Sequence, residues 1–302
     1  MESLIYFRNA FVPERDALVS VRSRALNYGL GCFAGIRGYR AGDGQLHVFR
    51  LDRHVRRLEQ SARILRLRLC APAAEVAGII VELLRRNDVK DDVYIRPIVF
   101  ADSDALSPVL DPDTSTTAIY CLPLGRYLSA EPIDVCVSSW RRVRETALPA
   151  RAKATGGYLN SALARREAID DGYTEAILLT EDGFVSEGSA EHVFIVTEGA
   201  LVSPPSTADN LDGITRRSLI TLATEDLGIP FVERPIGRTE LYVADEVFLC
   251  GTGAEVTPVR SVDRRTVGDG GVGPVTKRLS AHFDDVVRGR VAGRMDWLTP
   301  VW

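Results

Sequence analysis

Lysine is nearly missing from this chain. Of 37 basic side chains only three are lysine, Lys90, Lys153 and Lys277, and the rest are arginine. A guanidinium keeps its proton inside a protein, whereas a lysine amine can be tuned to release it and attack a carbonyl. A lysine that persists where arginine supplies charge elsewhere points to chemistry that arginine cannot perform. Lys153 stands out, within A-K-A-T-G-G-Y-L-N-S, among small residues and glycines with no acidic neighbour. Lys90, in N-D-V-K-D-D, reads as a surface turn, and Lys277, in G-P-V-T-K-R-L-S, as the start of an exposed helix.

Other absences narrow the class. The five cysteines are scattered, odd in number and form no C-x-x-C pair, which argues against a disulfide framework or a zinc site. The four histidines show no metal-ligand spacing, so no metal is expected. No dense basic tract is present and net charge is −4, which disfavours nucleic acid as a partner. No apolar run approaches the roughly 18 residues needed to cross a bilayer. The opening M-E-S-L-I-Y-F-R-N-A lacks the charged region and apolar core of a signal peptide, so a cytoplasmic location is expected. What is present is a globular composition, 45% hydrophobic over 302 residues, enough for two domains or one large one.

Periodicity and turn residues suggest mixed α and β structure. Residues 4–8, 46–50, 92–100 and 118–123 read as strands, and 51–67 and 73–86 as amphipathic helices. Pro97 inside a strand suggests an edge or a bulge. Residues 101–117 read as a long loop. The Pro/Gly-bearing stretch 125–132 is the expected linker between a domain at 1–124 and another at 133–302. In the latter, strand 133–138 and helix 158–171 lead to strands 175–180 and 191–196, with Asp182-Gly183 as a hairpin signal. Helix 215–227 stops at Gly228, and strand 246–250 runs into Gly251-Thr252-Gly253.

If Lys153 forms an imine, pyridoxal phosphate is the common aldehyde partner, and it makes further demands. Its phosphate needs a cradle. N-L-D-G-I-T-R-R opens a helix near Thr215 after Gly213 and Ile214, and C-G-T-G-A-E offers a second glycine-flanked threonine, Thr252. Its ring nitrogen needs a carboxylate, for which Glu187 and Glu191 compete in V-S-E-G-S-A-E-H-V-F. An arginine could grip the phosphate, and Arg57 has equal rivals in Arg53, Arg56 and Arg63. Tyr158 follows Lys153 closely enough for both to meet one ligand. Each of these also has an ordinary structural reading as a turn acid, a solvated arginine or a half-buried tyrosine.

The motifs together resemble the branched-chain amino acid aminotransferases of the class IV family, essentially end to end. They include N-Y-G-L-G-C-F-A-G-I-R-G-Y (27–39), R-H-V-R-R-L-E-Q-S-A-R (53–63), Y-I-R-P-I-V-F (94–100) and A-K-A-T-G-G-Y-L-N-S (152–161). V-S-E-G-S-A-E-H-V-F (185–194), L-D-G-I-T-R (211–216), A-D-E-V-F-L-C-G-T-G-A-E-V-T-P-V (244–259) and G-P-V-T-K (273–277) follow in order. The resemblance implies an α/β (α+β) two-domain fold of type IV, with a small N-terminal α/β domain and a larger β-rich, pseudo-barrel cofactor domain. It implies transamination between an L-amino acid with a branched or other hydrophobic side chain and a 2-oxo acid. Lys153 would hold pyridoxal 5'-phosphate as an imine and move the proton, for which its amine must fall below its free pKa of about 10.4. Glu187, not Glu191, would face the pyridine nitrogen and Tyr158 the ring hydroxyl. Arg57, Ile214, Thr215 and Thr252 would hold the phosphate. Tyr28, Phe33, Arg96 and Tyr127 would line the substrate pocket, and Thr252 with Gly253 would hold the substrate carboxylate. A homodimer or homohexamer, with a partner's loop completing the pocket, is implied as well.

Three departures fall on the substrate side. Ala34 stands in F-A-G-I-R where these enzymes usually have glutamate, Leu124 stands where bacterial relatives often have tryptophan, and loop 101–117 lacks their glycine- and proline-rich pattern. These suggest an amino-acid preference away from plain Leu, Ile and Val. A D-amino acid aminotransferase is a rival, although Arg96 is followed by Pro97-Ile98 and not by the R-x-H pair. An aminodeoxychorismate lyase that eliminates pyruvate, and a non-catalytic relative, are the others.

Overall fold

The computed structural model describes residues 3–302 apart from 126, 127 and 129. It separates into two compact units. The first comprises Met1–Gly125, Ala152–Gly156 and Asp285–Trp302, and the second Arg126–Arg151 and Gly157–Asp284.

In the first unit, strands β1 (Leu4–Phe7), β2 (Ala10–Pro13), β3 (Gly31–Phe33), β4 (Ile36–Arg40), β5 (Leu46–Phe49), β6 (Val93–Ala101) and β7 (Ser115–Pro123) pair antiparallel. The strand Leu298–Pro300 adds to β5 at one edge, giving the order Leu298–Pro300, β5, β4, β6, β7, β1, β2, with β3 also on β6. Helices α1 (Arg24–Tyr28), α2 (Leu51–Ile64) and α3 (Ala73–Arg86) complete the unit. Helix-period spacing puts Val55, Leu58 and Ala62 of α2 with Val76, Ile80 and Leu84 of α3, against Ile36, Val48, Ile95 and Ile119 of the sheet. Burial of these side chains removes apolar surface from water and holds α2 in place.

The division is not the uninterrupted one expected from the linker at 125–132. Residues 152–156 join the first unit because Phe33 N–H donates to the Lys153 carbonyl (3.1 Å) and Thr155 N–H to the Gly31 carbonyl (2.9 Å). Strand pairing by Leu298–Pro300 draws the C-terminal segment there too. Such long-range hydrogen bonds leave no local trace in composition.

The second unit holds β8 (Ile133–Arg141), β9 (Glu175–Leu179), β10 (Val185–Gly188), β11 (His192–Thr197), β12 (Ala200–Ser203), β13 (Phe231–Glu233), β14 (Glu246–Gly251), β15 (Glu255–Val262) and β16 (Arg265–Thr266). The sheet order is β10, β9, β8, β15, β14, β11, β12, β13, with β16 on β15. Its helices are α4 (Tyr158–Asp170), α5 (Ile214–Thr221), α6 (Glu240–Val243) and α7 (Pro274–Val287), whose last residues count to the first unit. β8 pairs parallel with both β9 and β15, and β12 with β13, and the rest are antiparallel. The parallel step from β8 to β9 needs a crossover, which α4 supplies by packing Ala164 and Ala168 on Cys136, Ala176 and Leu178. The fold is thus mixed α and β on two sheets.

Three local expectations are corrected. Pro97 is not at an edge, since β6 is flanked by β7 on one side and by β3 and β4 on the other. It lies where pairing passes from β4 (Ile36–Gly38 opposite Val93–Ile95) to β3 (opposite Ile98–Phe100), so its missing N–H interrupts no ladder bond. The Asp182-Gly183 turn joins 175–179 to Val185–Gly188, and not to 191–196, because Gly183 takes φ +88 and the tight turn closes at once. β7 begins at Ser115, so the loop is shorter than 101–117.

Candidate active site

Lys153 has a fixed backbone. Its N–H donates to Ser61 Oγ (3.2 Å), its carbonyl accepts from Phe33 N–H, and the next residue, Ala154, bridges to Cys32. The segment runs beside β3 at a distance only glycines allow. Gly29 takes φ +68, and a Cβ there would come within 3.0 Å of Gly156 Cα. Thr155 Oγ1 donates to the Gly29 carbonyl (2.7 Å), which places Tyr28, at the end of α1, next to the lysine's segment.

Phe33 and Arg96 gather around the same lysine. Lys153 Nζ lies 5.1 Å from the Phe33 ring centroid and the Arg96 guanidinium 4.3 Å from it. Arg96 donates from Nε (3.1 Å) and Nη2 (2.7 Å) to Tyr94 Oη. Helix α2 brings His54, Arg57 and Ser61 onto one face at helical spacing, and Ser61 touches the lysine's backbone. Among Arg53, Arg56, Arg57 and Arg63 only Arg57 is buried, a distinction invisible in the pattern R-H-V-R-R-L-E-Q-S-A-R. His54 is buried beside it, and its Nδ1 finds no hydrogen-bond partner among the described residues. Burial first, then the cations of Arg57, Lys153 and Arg50, hold its pKa well below 6.5 and keep the ring neutral.

The second unit assembles an anion cradle and a carboxylate. Glu187, on β10, is 6% exposed, and its Oε1 lies 2.8 Å from Arg142 Nη2. Its Oε2 accepts from Leu211 N–H (3.2 Å) and lies 3.9 Å from His192 Nδ1. Two residues beyond Leu211, Gly213 caps α5 without a side-chain hydrogen bond. The first-turn N–H groups, with Ile214 and Thr215 buried there, have no intrahelical acceptor and suit an anion. Thr252 and Gly253 follow Gly251, and a Cβ on Gly251 would face Glu191 Cα at 3.8 Å, so Gly251 lies against the connection between β10 and β11. Arg142 Nη1 also donates to Ser161 Oγ (3.3 Å), one turn after Tyr158 on α4. Tyr127 lies outside the described residues.

Glu191 has a different environment from Glu187. It is buried near Glu175, and burial first and that neighbouring carboxylate next push its pKa up to about 8. A group held protonated at neutral pH is a poor partner for a protonated ring nitrogen, which supports Glu187 for that role. Two residues of this site escaped the sequence reading. Arg142 sits in R-R-V-R, where no spacing separates it from its neighbours, and His192 lacks any metal or dyad signature.

The chain was compared with known proteins. A family model described as amino-transferase class IV matches residues 31–262. A probable branched-chain-amino-acid aminotransferase of Aquifex aeolicus is 43% identical over 299 residues, covering 98% of this chain and 96% of that one. The crystal structure of a branched-chain aminotransferase from Thermoproteus uzoniensis with norvaline superposes with a TM-score of 0.95 at 42% identity, covering 100% of both chains. The PLP-form of the Thermobaculum terrenum branched-chain amino acid aminotransferase gives 0.94 at 38% identity, covering 100% of this chain and 99% of that one.

His54 should leave a mark on stability. The unfolded chain takes up a proton there below about pH 6.5 and the folded protein does not, so acid favours unfolding by about tenfold per pH unit below that point. Urea midpoints measured from pH 7.5 down to 5 should show this fall, and His54→Gln should lack that part of it. An unchanged slope in the variant would assign the fall to other groups.

Proposed function

The chain belongs to the class IV aminotransferase family, and we propose that it is a pyridoxal-phosphate-dependent branched-chain aminotransferase working through Lys153. The single observation that carries the site assignment is the ion-paired, buried Glu187 next to an uncapped, buried helix start at Ile214 and Thr215. A carboxylate compensated by Arg142 fits a protonated ring nitrogen, and open amides with a threonine hydroxyl fit a phosphate, so these residues suit the cofactor.

Pyridoxal phosphate, bound through its aldehyde, supplies an electron sink that makes an amino acid's α-hydrogen acidic and carries the amino group to a 2-oxo acid. The chain's own residues do the rest. Lys153 Nζ would hold the cofactor covalently between turnovers and, once released, would take the α-proton and return it. The backbone bonds to Ser61 and Phe33 hold the lysine's Cα in place. Glu187 keeps a proton on the ring nitrogen, and Tyr158 donates to the ring oxygen. Arg57, Ile214, Thr215 and Thr252 bind the phosphate. Tyr28, Phe33 and Arg96 would contact the substrate, with Thr252 and Gly253 at its carboxylate, and the resemblance adds Tyr127, outside the described residues. Phe33, on the Arg96 side of Lys153, offers an apolar wall for an aliphatic side chain.

The relatives' names favour a branched-chain substrate over the altered specificity suggested by Ala34, Leu124 and the stretch 101–117, and equally over the D-amino acid and lyase readings. We further propose a homodimer, alone or within a hexamer. Val21 and Leu106 are each 78% exposed, and Leu18 and Leu26 nearly as much. Arg24 ties their two segments together by donating to the Ala105 (3.2 Å) and Val109 (3.1 Å) carbonyls, and exposed apolar side chains on neighbouring segments fit an association surface. Among the described residues no helix is long and apolar enough to cross a membrane, and the five cysteines are free, which fits the cytoplasmic location we propose.

Lys153→Arg should keep the fold and the phosphate contacts yet abolish turnover and the visible absorption of the lysine-bound cofactor. Measurable transamination by that variant would refute the assignment. In a panel of L- and D-amino donors, Leu, Ile and Val should give the highest kcat/KM, and a clear lead by another class would overturn the substrate reading. Sedimentation should show an oligomer that Leu106→Glu with Val21→Glu shifts toward monomer.

A further inference from the structure

His192 is wedged between two parts of the second unit's site. Its ring is buried. On one side Nδ1 lies 3.9 Å from Glu187 Oε2, too far for a hydrogen bond but in packing contact. On the other side the ring occupies the space where a side chain on Gly213 would begin. A Cβ built there would fall 2.0 Å from Nε2 and 2.4 Å from Cδ2. Gly213 has φ −77 and ψ 127, which any residue adopts, so sterics against this ring, not backbone conformation, call for glycine.

The ring cannot withdraw easily. β11 pairs with β14 in a register that sets His192 opposite Cys250, and Val193 and Phe194, which follow, are fully buried. Glu187 is held from the far side by Arg142 (2.8 Å), with Glu191 and Arg216 the other charged groups of this region. The backbone gives a second tie, through the Leu211 N–H on Glu187 Oε2, two residues before Gly213.

We propose that His192 is a positioning residue whose bulk sets the separation between Glu187 and the first turn of α5. That separation decides how well one ligand can present a protonated ring nitrogen to the carboxylate and a phosphate to the helix. The inference rests on the pyridoxal phosphate reading of this site and adds to it the part that holds the two ends apart.

The test uses the holoenzyme and three variants, with cofactor dissociation constants and the 31P chemical shift of the bound phosphate as readouts. His192→Ala should weaken cofactor binding by about tenfold or more, as loss of a group supporting a binding shell does, and shift the 31P signal. His192→Leu keeps the bulk without the polar atoms and should stay within about threefold of the parent. Gly213→Ala should weaken binding alone, and in combination with His192→Ala should bind better than Gly213→Ala, because the new methyl then has room. His192→Ala with unchanged affinity and 31P shift would overturn the proposal, as would His192→Leu losing as much as His192→Ala. The His192 pair decides the matter even where Gly213→Ala does not fold. A parent protein that binds no pyridoxal phosphate would instead overturn the function proposed above.

Discussion

The ion pair between Arg142 and Glu187 is the contact on which the second unit's site depends. A carboxylate taken out of water costs several kcal/mol unless a compensating charge and hydrogen bonds are in place. Glu187 has all of these, from Arg142 and from the Leu211 N–H. Glu191, four residues on, has a carboxylate for a neighbour in Glu175 and resolves the same problem by keeping its proton. Two glutamates on one short stretch thus have opposite surroundings, an arginine beside Glu187 and a carboxylate beside Glu191.

The same ion pair organises what surrounds it. Arg142 reaches Ser161 and so ties the start of α4, where Tyr158 lies, to the carboxylate. Leu211 and His192 tie the carboxylate to the start of α5. In the first unit the logic is reversed. Arg57, Lys153 and Arg50 act on the buried His54, which stays neutral. The backbone of Lys153 is pinned at Ser61 and Phe33.

Much of the chemistry was legible in the chain. The scarcity of lysine isolated Lys153 without reference to any relative, and the demands of an aldehyde cofactor led to short sets of rivals. Resemblance then chose Glu187 over Glu191 and Arg57 over its neighbours, and the structure supplies physical reasons that favour both choices: ion pairing for the first, burial for the second. Elements with strong period were readable as well, α2 and α3 above all. The failures have a common cause. Pro97 was referred to an edge or a bulge because its own residue type is visible and the interruption between β3 and β4 opposite it is not. The hairpin at Asp182-Gly183 was given the wrong second strand because Val185–Gly188 is short and contains a glutamate. The lysine's own segment was assigned with its sequence neighbours, although its hydrogen bonds run to residues more than ninety positions away.

Residue types and their order determined which reactions are open to this protein, because a lysine amine can form and release an imine where a guanidinium cannot, and a carboxylate favours a proton on a ring nitrogen. Tertiary structure decided which of the eligible residues are fit to act. Burial, pairing and protonation are set by neighbours distant in the chain, as Arg142 is from Glu187 and Ser61 from Lys153. The requirement for glycine at 213 is of the same kind. Its backbone angles would admit any residue, and a histidine packed against it from another strand leaves room for none.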